Sequence, residues 1–157
     1  MDETKNVRAR LDAFVAAWNR NDWEEMASLW SSDGDLINPF GRKAAGHAAV
    51  RAMFRIEHSN PEEAGVTTLP ITGDMPDPAT VSMMRNTRYT IVRHSIRFLK
   101  EDVAVVDWDA QIFGIKTLAG ALTPPFDHHM TLIMTRQDDA WLMLAGRPHA
   151  YASPPGG

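Results

Sequence analysis

Hydrophobic residues in the first part of the chain recur at the spacing of an α-helix. Asp2 is a residue type that caps helices, and the apolar positions after it lie three or four residues apart. They form a single stripe made of Val7, Leu11, Phe14, Val15 and Trp18. The pattern predicts a first helix that ends near Arg20.

Two more helices are predicted before residue 60. Asn21, followed three residues later by Glu24, has the pattern of a capping box with Asn21 at the N-cap. The apolar stripe of this second helix is Trp23, Met26, Ala27 and Trp30. A third helix is expected after Gly46, from about His47 to His58, with an inward stripe of Val50, Met53 and Phe54.

The stretch from Asp33 to Gly41 is expected to join these helices to a strand. Asp33-Gly34 is a turn signal, and Leu36 to Phe40 is a short apolar run interrupted by Asn38. Because Pro39 cannot donate to a sheet ladder, we predict an edge or terminal strand here. The Asn38 amide then lies at the margin of the core, either in a pocket or in a simple turn.

In the second half of the chain, apolar and polar residues alternate with the period of a β-strand. Four strands are expected, from Tyr89 to Leu99, Val103 to Phe113, His128 to Arg136 and Trp141 to His149. In the first three, the side chains assigned to one apolar face are Val92, His94, Ile96 and Phe98; Ala104, Val106, Trp108, Ala110 and Ile112; and His128, Met130, Leu132 and Met134. Three helices followed by a meandering antiparallel sheet predict an α+β domain with the helices on one face.

Proline and glycine interrupt the regular pattern from Ser59 to about Arg88. A connection this long in a compact domain is typical of a lid, a binding loop or a plain insertion, and these alternatives stay open. We therefore expect one domain over residues 1–152, with an insertion at about 59–88 and a flexible tail at 153–157.

Composition excludes several kinds of protein. The chain has 157 residues, enough for one domain, and no cysteine, so it forms no disulfide and offers no thiolate ligand. No apolar run has the length of a membrane span, and the first residues are polar. The net charge of -4, with both signs interspersed, argues against a nucleic-acid partner. We expect a cytoplasmic protein with neither a membrane nor a nucleic acid as partner.

Several short motifs resemble those of the nuclear transport factor 2-like superfamily. They are Trp18-Asn19-Arg20-Asn21-Asp22, Ser32-Asp33-Gly34-Asp35, Asn38-Pro39-Phe40-Gly41 and Gly46-x-x-x-Val50. This superfamily includes the SnoaL-like polyketide cyclases, the ketosteroid isomerases and the SgcJ/EcaC-type proteins. The strands from Phe98 to Asp107 and from Thr131 to Arg147 are similar to the SgcJ/EcaC-type pattern. Such a resemblance is evidence for the fold more than for the reaction.

The resemblance implies a curved sheet wrapped around the three helices as a cone. An apolar pocket lies inside such a cone, and the outer face of the sheet often forms a homodimer. That outer face would carry Asp107, Asp109, Gln111, His129 and Thr131. For Asp107 and Asp109 we favour a structural role, in which basic residues of the same face pair with them, over a catalytic role.

The catalytic residues of the ketosteroid isomerases have no counterpart in this chain. Their general-base carboxylate corresponds to Asn38, which has no group that titrates near neutral pH. Their phenolic donor corresponds to Phe14, and their protonated carboxyl donor corresponds to Leu132. With all three roles vacant, we do not expect steroid isomerisation by that mechanism.

The sheet register implied by the resemblance supplies a different polar set. It turns Met143, Ala145, Arg147 and His149 into the pocket, near His128 on the preceding strand. In this set Arg147 would bind a carboxylate or enolate, and a histidine would move a proton near neutral pH. We predict as catalytic His128, His149, Arg147 and Asn38, and as substrate-binding Phe14, Trp18, Phe54, Trp108, Met130, Leu132 and Met143. Each histidine can instead be structural, and Arg147 can pair with Asp35 or with the chain terminus.

Two functions of different classes follow from this set. The first is an enzyme that acts without cofactor on a small, hydrophobic, carbonyl-bearing or anionic metabolite, as an isomerase, cyclase, dehydratase or hydrolase. The second is a non-catalytic module that uses the same fold to bind a ligand or to dimerise. The sequence has no glycine-rich dinucleotide turn. We assign no metal ligand, although His94, His128 and His149 on one face would make an open three-ligand centre.

Overall fold

Three helices and seven strands make up the computed structural model, which describes residues 2–60, 71–72, 82–117 and 119–151. In chain order the elements are α1 (Glu3–Asn19), α2 (Trp23–Ser28), β1 (Trp30–Ile37), β2 (Lys43–Ala45), α3 (His47–His58), β3 (Ile71–Thr72), β4 (Arg88–Lys100), β5 (Val103–Phe113), β6 (Phe126–Gln137) and β7 (Ala140–Ala150). The helices pack on the sheet, so the predicted α+β class is confirmed.

The first helix begins and ends close to its predicted bounds. The Asp2 carboxylate accepts a hydrogen bond from the Thr4 backbone N–H at 3.1 Å, which satisfies one free donor of the first turn. The predicted stripe faces the core at four of its five positions, namely Val7, Leu11, Phe14 and Trp18, and Val15 is half-buried. Periodicity alone therefore located this helix.

The second helix differs from the prediction at both ends. Its N-cap is Asp22, whose carboxylate accepts from the Glu25 N–H at 3.0 Å. Asn21 has a φ of 59° and lies before the helix, where its side-chain amide donates to the His58 carbonyl at 2.7 Å. The helix ends at Ser28, so Trp30 belongs to β1 rather than to a helical stripe.

The seven strands form one sheet in the order β3-β2-β1-β7-β6-β5-β4. The pair β1 and β7 is parallel, and the other neighbouring pairs are antiparallel. The prediction of an edge strand before Pro39 is wrong, because β1 lies between β2 and β7. Its last residue is Ile37, so the proline follows the ladder instead of interrupting it.

A β-bulge in β7 reverses which residues face the core. Ile133 of β6 pairs with Ala145 and Met134 pairs with Met143, which leaves Leu144 as one extra residue. Since side chains alternate along a strand, one extra residue moves all later side chains to the opposite face. The prediction that Ala145, Arg147 and His149 share the inward face of Met143 is therefore wrong.

The inward positions after this bulge belong to Gly146 and Pro148. A Cβ atom at Gly146 would lie 2.9 Å from both Leu36 Cδ1 and Trp30 Cη2. The glycine therefore lets β7 approach the side chains of β1 closely enough to close the core.

A second bulge, in β4, turns Val92 away from the core. Ile91 pairs with Ala110 and Arg93 pairs with Asp109, so Val92 is the extra residue and is 60% exposed. The prediction that Val92 lies on the core face is wrong. Before the bulge the inward side chains are Tyr89 and Ile91, and Tyr89 is only 2% exposed.

The predicted insertion and tail fall largely outside the described residues. Residues 61–70, 73–81 and 152–157 are not described, so the lid and the flexible tail stay predictions. Within the described part, Ile71–Thr72 pairs with β2 as an outer strand, and Met84 and Thr87 are buried. None of the helices in the described part is long and apolar enough to cross a membrane.

Candidate functional site

A narrow cavity lies between the helices and the inner face of the sheet. The space open to the centre of a water-sized molecule is about 40 Å³, room for about three waters or one small ligand. All seven residues predicted as substrate-binding line it, namely Phe14, Trp18, Phe54, Trp108, Met130, Leu132 and Met143. The wall is therefore mainly aromatic and aliphatic, which is typical of a site for a small organic molecule.

Tyr89, Trp108 and His128 form a hydrogen-bonded chain in the cavity wall. The Trp108 indole N–H donates to the Tyr89 hydroxyl at 2.7 Å, and that hydroxyl is 2.8 Å from His128 Nε2. All three side chains are buried and line the cavity. Cross-strand register brings them together, because Tyr89 lies opposite Ile112, and His128 opposite Ala110, across β5.

Burial keeps the Tyr89 and His128 side chains uncharged at neutral pH. It lowers the pKa of His128 to about 4, and it raises the pKa of Tyr89 well above its usual value. The Trp108 hydrogen bond acts in the opposite direction on Tyr89 and is the weaker effect. The structure therefore places His128 at the cavity, but as a neutral imidazole with one ring N–H, which does not titrate near neutral pH.

Asn38 and Glu57 form a second polar group in the wall. The Asn38 side-chain N–H donates to Glu57 Oε1 at 2.9 Å, and its oxygen accepts from the backbone N–H groups of Phe40 and Arg42, both at 3.0 Å. Asn38 is 4% exposed and Glu57 is 7% exposed. Asn38 therefore has both of the predicted positions, in a turn and in a pocket, because its amide oxygen closes the turn and its nitrogen binds Glu57.

Glu57 is a site residue that the sequence reasoning missed. Burial raises the pKa of Glu57 to about 7. The Asn38 hydrogen bond and the positive charge of Arg42 lower the pKa, but by less than burial raises it. A sequence signal existed, because Glu57 lies four residues after Met53 and three after Phe54, on the inward stripe of α3. A charged residue on an apolar helical stripe is itself a reason to look for a pocket.

Arg147 and His149 do not reach the cavity, and this follows from the bulge in β7. Arg147 Nη1 lies 2.7 Å from Asp35 Oδ1, so the alternative pairing with Asp35 is the one observed. His149 is exposed, and its ring centroid is 6.5 Å from that of His129 on the outer face. Of the four residues predicted as catalytic, only Asn38 and His128 lie at the cavity.

The outer face of the sheet carries a cluster of paired charges. His129 Nδ1 lies 2.9 Å from Asp109 and Nε2 lies 3.0 Å from Asp107. Thr131 donates to Asp107 at 2.8 Å, and Arg93 donates to Asp109. The pKa of His129 is raised, mainly by its hydrogen bond to Asp109. These contacts agree with the structural role favoured for the two aspartates.

The histidines proposed for a metal centre are not brought together. His128 lies in the cavity, His149 lies on the outer face, and His94 is exposed on β4. In the part of the chain that the structure describes, no group of three or more His, Asp or Glu side chains is arranged to hold a metal ion.

His58, the last residue of α3, is a second buried histidine. Its ring lies edge-on against Trp18, with centroids 4.4 Å apart, and burial lowers its pKa to about 3. Neither ring nitrogen has a hydrogen-bond partner within the described ranges, so His58 is a neutral core residue.

Comparison with known families agrees with this architecture. The model of the SnoaL-like domain family matches residues 11–141. The chain belongs to the SnoaL-like domain family. The resemblance to the nuclear transport factor 2-like superfamily is thereby confirmed, and the finer SgcJ/EcaC-type assignment stays a prediction. No curated protein matches the chain.

Solved structures share the fold of this SnoaL-like domain at low sequence identity. An uncharacterised protein with a cystatin-like fold from Caulobacter vibrioides is 17% identical, with a TM-score of 0.69 over 97% of this chain and 92% of that one. A provisionally named scytalone dehydratase from Novosphingobium aromaticivorans is 12% identical, with a TM-score of 0.67 over 96% and 85%. A provisionally named dehydratase of the NTF2-like family from Streptomyces avermitilis is 15% identical, with a TM-score of 0.67 over 95% and 96%.

Within this SnoaL-like domain, the positions that correspond to ketosteroid isomerase catalytic residues do face the cavity. Phe14, Asn38 and Leu132 all line it, and none carries a group that titrates near neutral pH. The carboxyl group of the cavity comes from Glu57 on α3 instead, held by Asn38.

Proposed function

We propose that this SnoaL-like domain binds a small, mainly apolar, carbonyl-bearing molecule and acts on it without a cofactor. The reaction type would be that of an isomerase, cyclase, dehydratase or hydrolase. The observation that carries the proposal is the buried cavity, in which an apolar wall surrounds two hydrogen-bonding groups. Two proteins of the same fold are provisionally named dehydratases, which supports the same reaction class.

The charge of the cavity favours an uncharged ligand over an anionic one. The described residues that line it include no lysine or arginine, and Arg147 is paired with Asp35 on the other face. Desolvating an anion without a counter-charge is strongly unfavourable. Of the two ligand types expected from the sequence, the carbonyl-bearing type is therefore the one we propose.

Tyr89 is the residue that would bind the carbonyl oxygen. With the His128 proton on Nε2, both Trp108 and His128 donate to the Tyr89 oxygen, and its own O–H is left to point at a ligand. Two donors on a phenol oxygen make its O–H a stronger donor, since hydrogen bonds in a chain polarise one another. Such a donor would stabilise negative charge that develops on the oxygen during reaction.

A native mass spectrum compared with the denatured mass tests whether the cavity holds a ligand. Replacing His128 with alanine then separates an enzyme from a simple binder, with His149→Ala as the matched control outside the cavity. For an enzyme we expect turnover of a carbonyl panel to fall by at least about 100-fold in the first variant and to stay unchanged in the control. Tight ligand binding without any turnover would contradict the enzymatic proposal.

The second candidate is a non-catalytic module that dimerises through its outer sheet face. In the cluster of Arg93, Asp107, Asp109 and His129, each carboxylate is paired with a basic side chain, which reduces the repulsion between two copies of that face. The same native mass spectrum gives the oligomeric state, and a monomer at micromolar concentration would contradict this candidate. A cytoplasmic location stays a prediction.

A further inference from the structure

Glu57 has the geometry of a residue that acts on a bound molecule. Its carboxyl group lines the cavity, and its only side-chain hydrogen bond to the described residues is the one from Asn38 to Oε1. No described residue donates to the second oxygen, Oε2, so a ligand in the cavity would be able to. We infer that Glu57, held by Asn38 in the cavity wall, is a catalytic acid–base residue and that the molecule it acts on is an uncharged carbonyl compound.

Asn38 is well suited to hold this carboxyl group in one position. Its side-chain oxygen accepts from the backbone N–H groups of Phe40 and Arg42, which fixes the plane of the amide. The amide nitrogen is thereby aimed at Glu57, and one of its two N–H groups donates to Oε1. Asn38 is a positioning residue in this scheme, because it acts on the ligand only through Glu57.

The other titratable groups at the cavity are less suited than Glu57 to take up and return a proton near neutral pH. The described lining contains only two besides Glu57, namely Tyr89 and His128, and burial holds both in their neutral forms. Arg42 acts on Glu57 from the turn after β1 and favours its ionised form. Glu57 is the group whose pKa, at about 7, allows it both to take and to return a proton near neutral pH.

The step needs no cofactor or oxidant. The Glu57 carboxylate takes a proton from the carbon next to the carbonyl group. The C–H electron pair becomes the second bond of a C=C, and a carbonyl electron pair moves onto oxygen, where Tyr89 can donate to it. Protonated Glu57 then returns a proton to carbon, which restores both the carboxylate and a neutral product. This inference rests on the proposed function, because it requires a carbonyl compound in the cavity.

Deuterium exchange into cyclopentanone tests the inference without knowledge of the natural substrate. The protein is incubated with this small ketone in D₂O over many turnovers, and the deuterium on the carbons next to the carbonyl is measured by NMR. We expect exchange above the buffer rate, with a rate that rises with pH, is half-maximal near pH 7 and levels off above about pH 8. Glu57→Gln should reduce the enzymatic rate by at least about 100-fold.

Two control variants keep the result interpretable. Glu24→Gln removes a carboxylate that is paired with Arg51 at the surface, and should leave the exchange rate unchanged. Glu57→Asp keeps the carboxyl group but withdraws it by one methylene, and should retain a slower exchange with a pH profile of the same form. Loss of exchange in Glu57→Gln without any fall in its thermal midpoint, together with slower exchange in Glu57→Asp, supports a chemical role.

The outcomes distinguish this inference from the proposed function. If the wild-type protein exchanges deuterium and Glu57→Gln does so equally fast, the inference is overturned and the proposed function stands with another base. If saturation-transfer NMR shows cyclopentanone bound but no exchange occurs, the inference fails and ligand binding stands. If the ketone neither binds nor exchanges, both fail. Equal binding of cyclopentanecarboxylate above about pH 8 would overturn the preference for an uncharged ligand.

Discussion

Replacing Glu57 with glutamine should change the pH dependence of folding stability. Burial raises the pKa of Glu57 from 4.5 to about 7. One pKa unit corresponds to about 1.4 kcal/mol, so ionising this group costs about 3 kcal/mol more in the folded protein than in the unfolded chain. Glutamine cannot ionise, and its oxygen can still accept the Asn38 N–H that Glu57 accepts at 2.9 Å.

The sign of the effect follows from proton binding. Between the two pKa values the folded state binds more protons at Glu57 than the unfolded chain does, so wild-type stability falls as pH rises through that interval. The penalty is absent below about pH 4 and complete above about pH 7. Relative to wild type, Glu57→Gln should therefore gain about 2 to 3 kcal/mol between about pH 5 and pH 8.

Urea unfolding of both proteins at several pH values measures this difference. All other titratable groups are the same in both proteins, so their contributions cancel in the comparison. Glu24→Gln, which removes an exposed carboxyl group, controls for the loss of one charge and should show little pH-dependent change. A difference between wild type and Glu57→Gln that is constant across the interval would refute the raised pKa, and with it the buried position of the carboxyl group.

Three further predictions follow from the structure. Asn38→Ala should raise the midpoint of the exchange-rate pH profile by about one unit, because it removes the hydrogen bond that lowers the pKa of Glu57; an unchanged midpoint would argue against Asn38 as a positioning residue. Gly146→Ala should lower the free energy of unfolding by about 1–3 kcal/mol in urea titration, since its methyl group would lie 2.9 Å from the rigid Trp30 ring. His129→Gln should remove a stabilising contribution that is present below about pH 6.5 and is lost as pH rises through the raised pKa of His129; thermal midpoints of the two proteins that stay parallel with pH would contradict it.

The sequence by itself determined most of the elements of this protein and about half of the described residues in the cavity wall. Helical periodicity located α1 and α3, strand alternation located β4 to β7, and all seven apolar residues expected around the ligand line the cavity. These patterns are local, because a repeat of 3.6 or 2 residues is set by the backbone and by the need to bury one face. The resemblance added the arrangement of these elements.

Tertiary structure alone decided which polar groups meet. A single extra residue at Leu144 turns Arg147 and His149 away from the cavity, and alternation read from the sequence cannot show where a strand takes up an extra residue. In the same way, Asn38 meets Glu57 across nineteen residues, and His128 meets Tyr89 across thirty-nine. The pKa values follow from those meetings and from burial, so a titratable group at neutral pH was found at Glu57 rather than at a histidine. The physical reason is that burial and hydrogen bonding depend on all neighbours in space, whereas a sequence pattern reports only the neighbours along the chain.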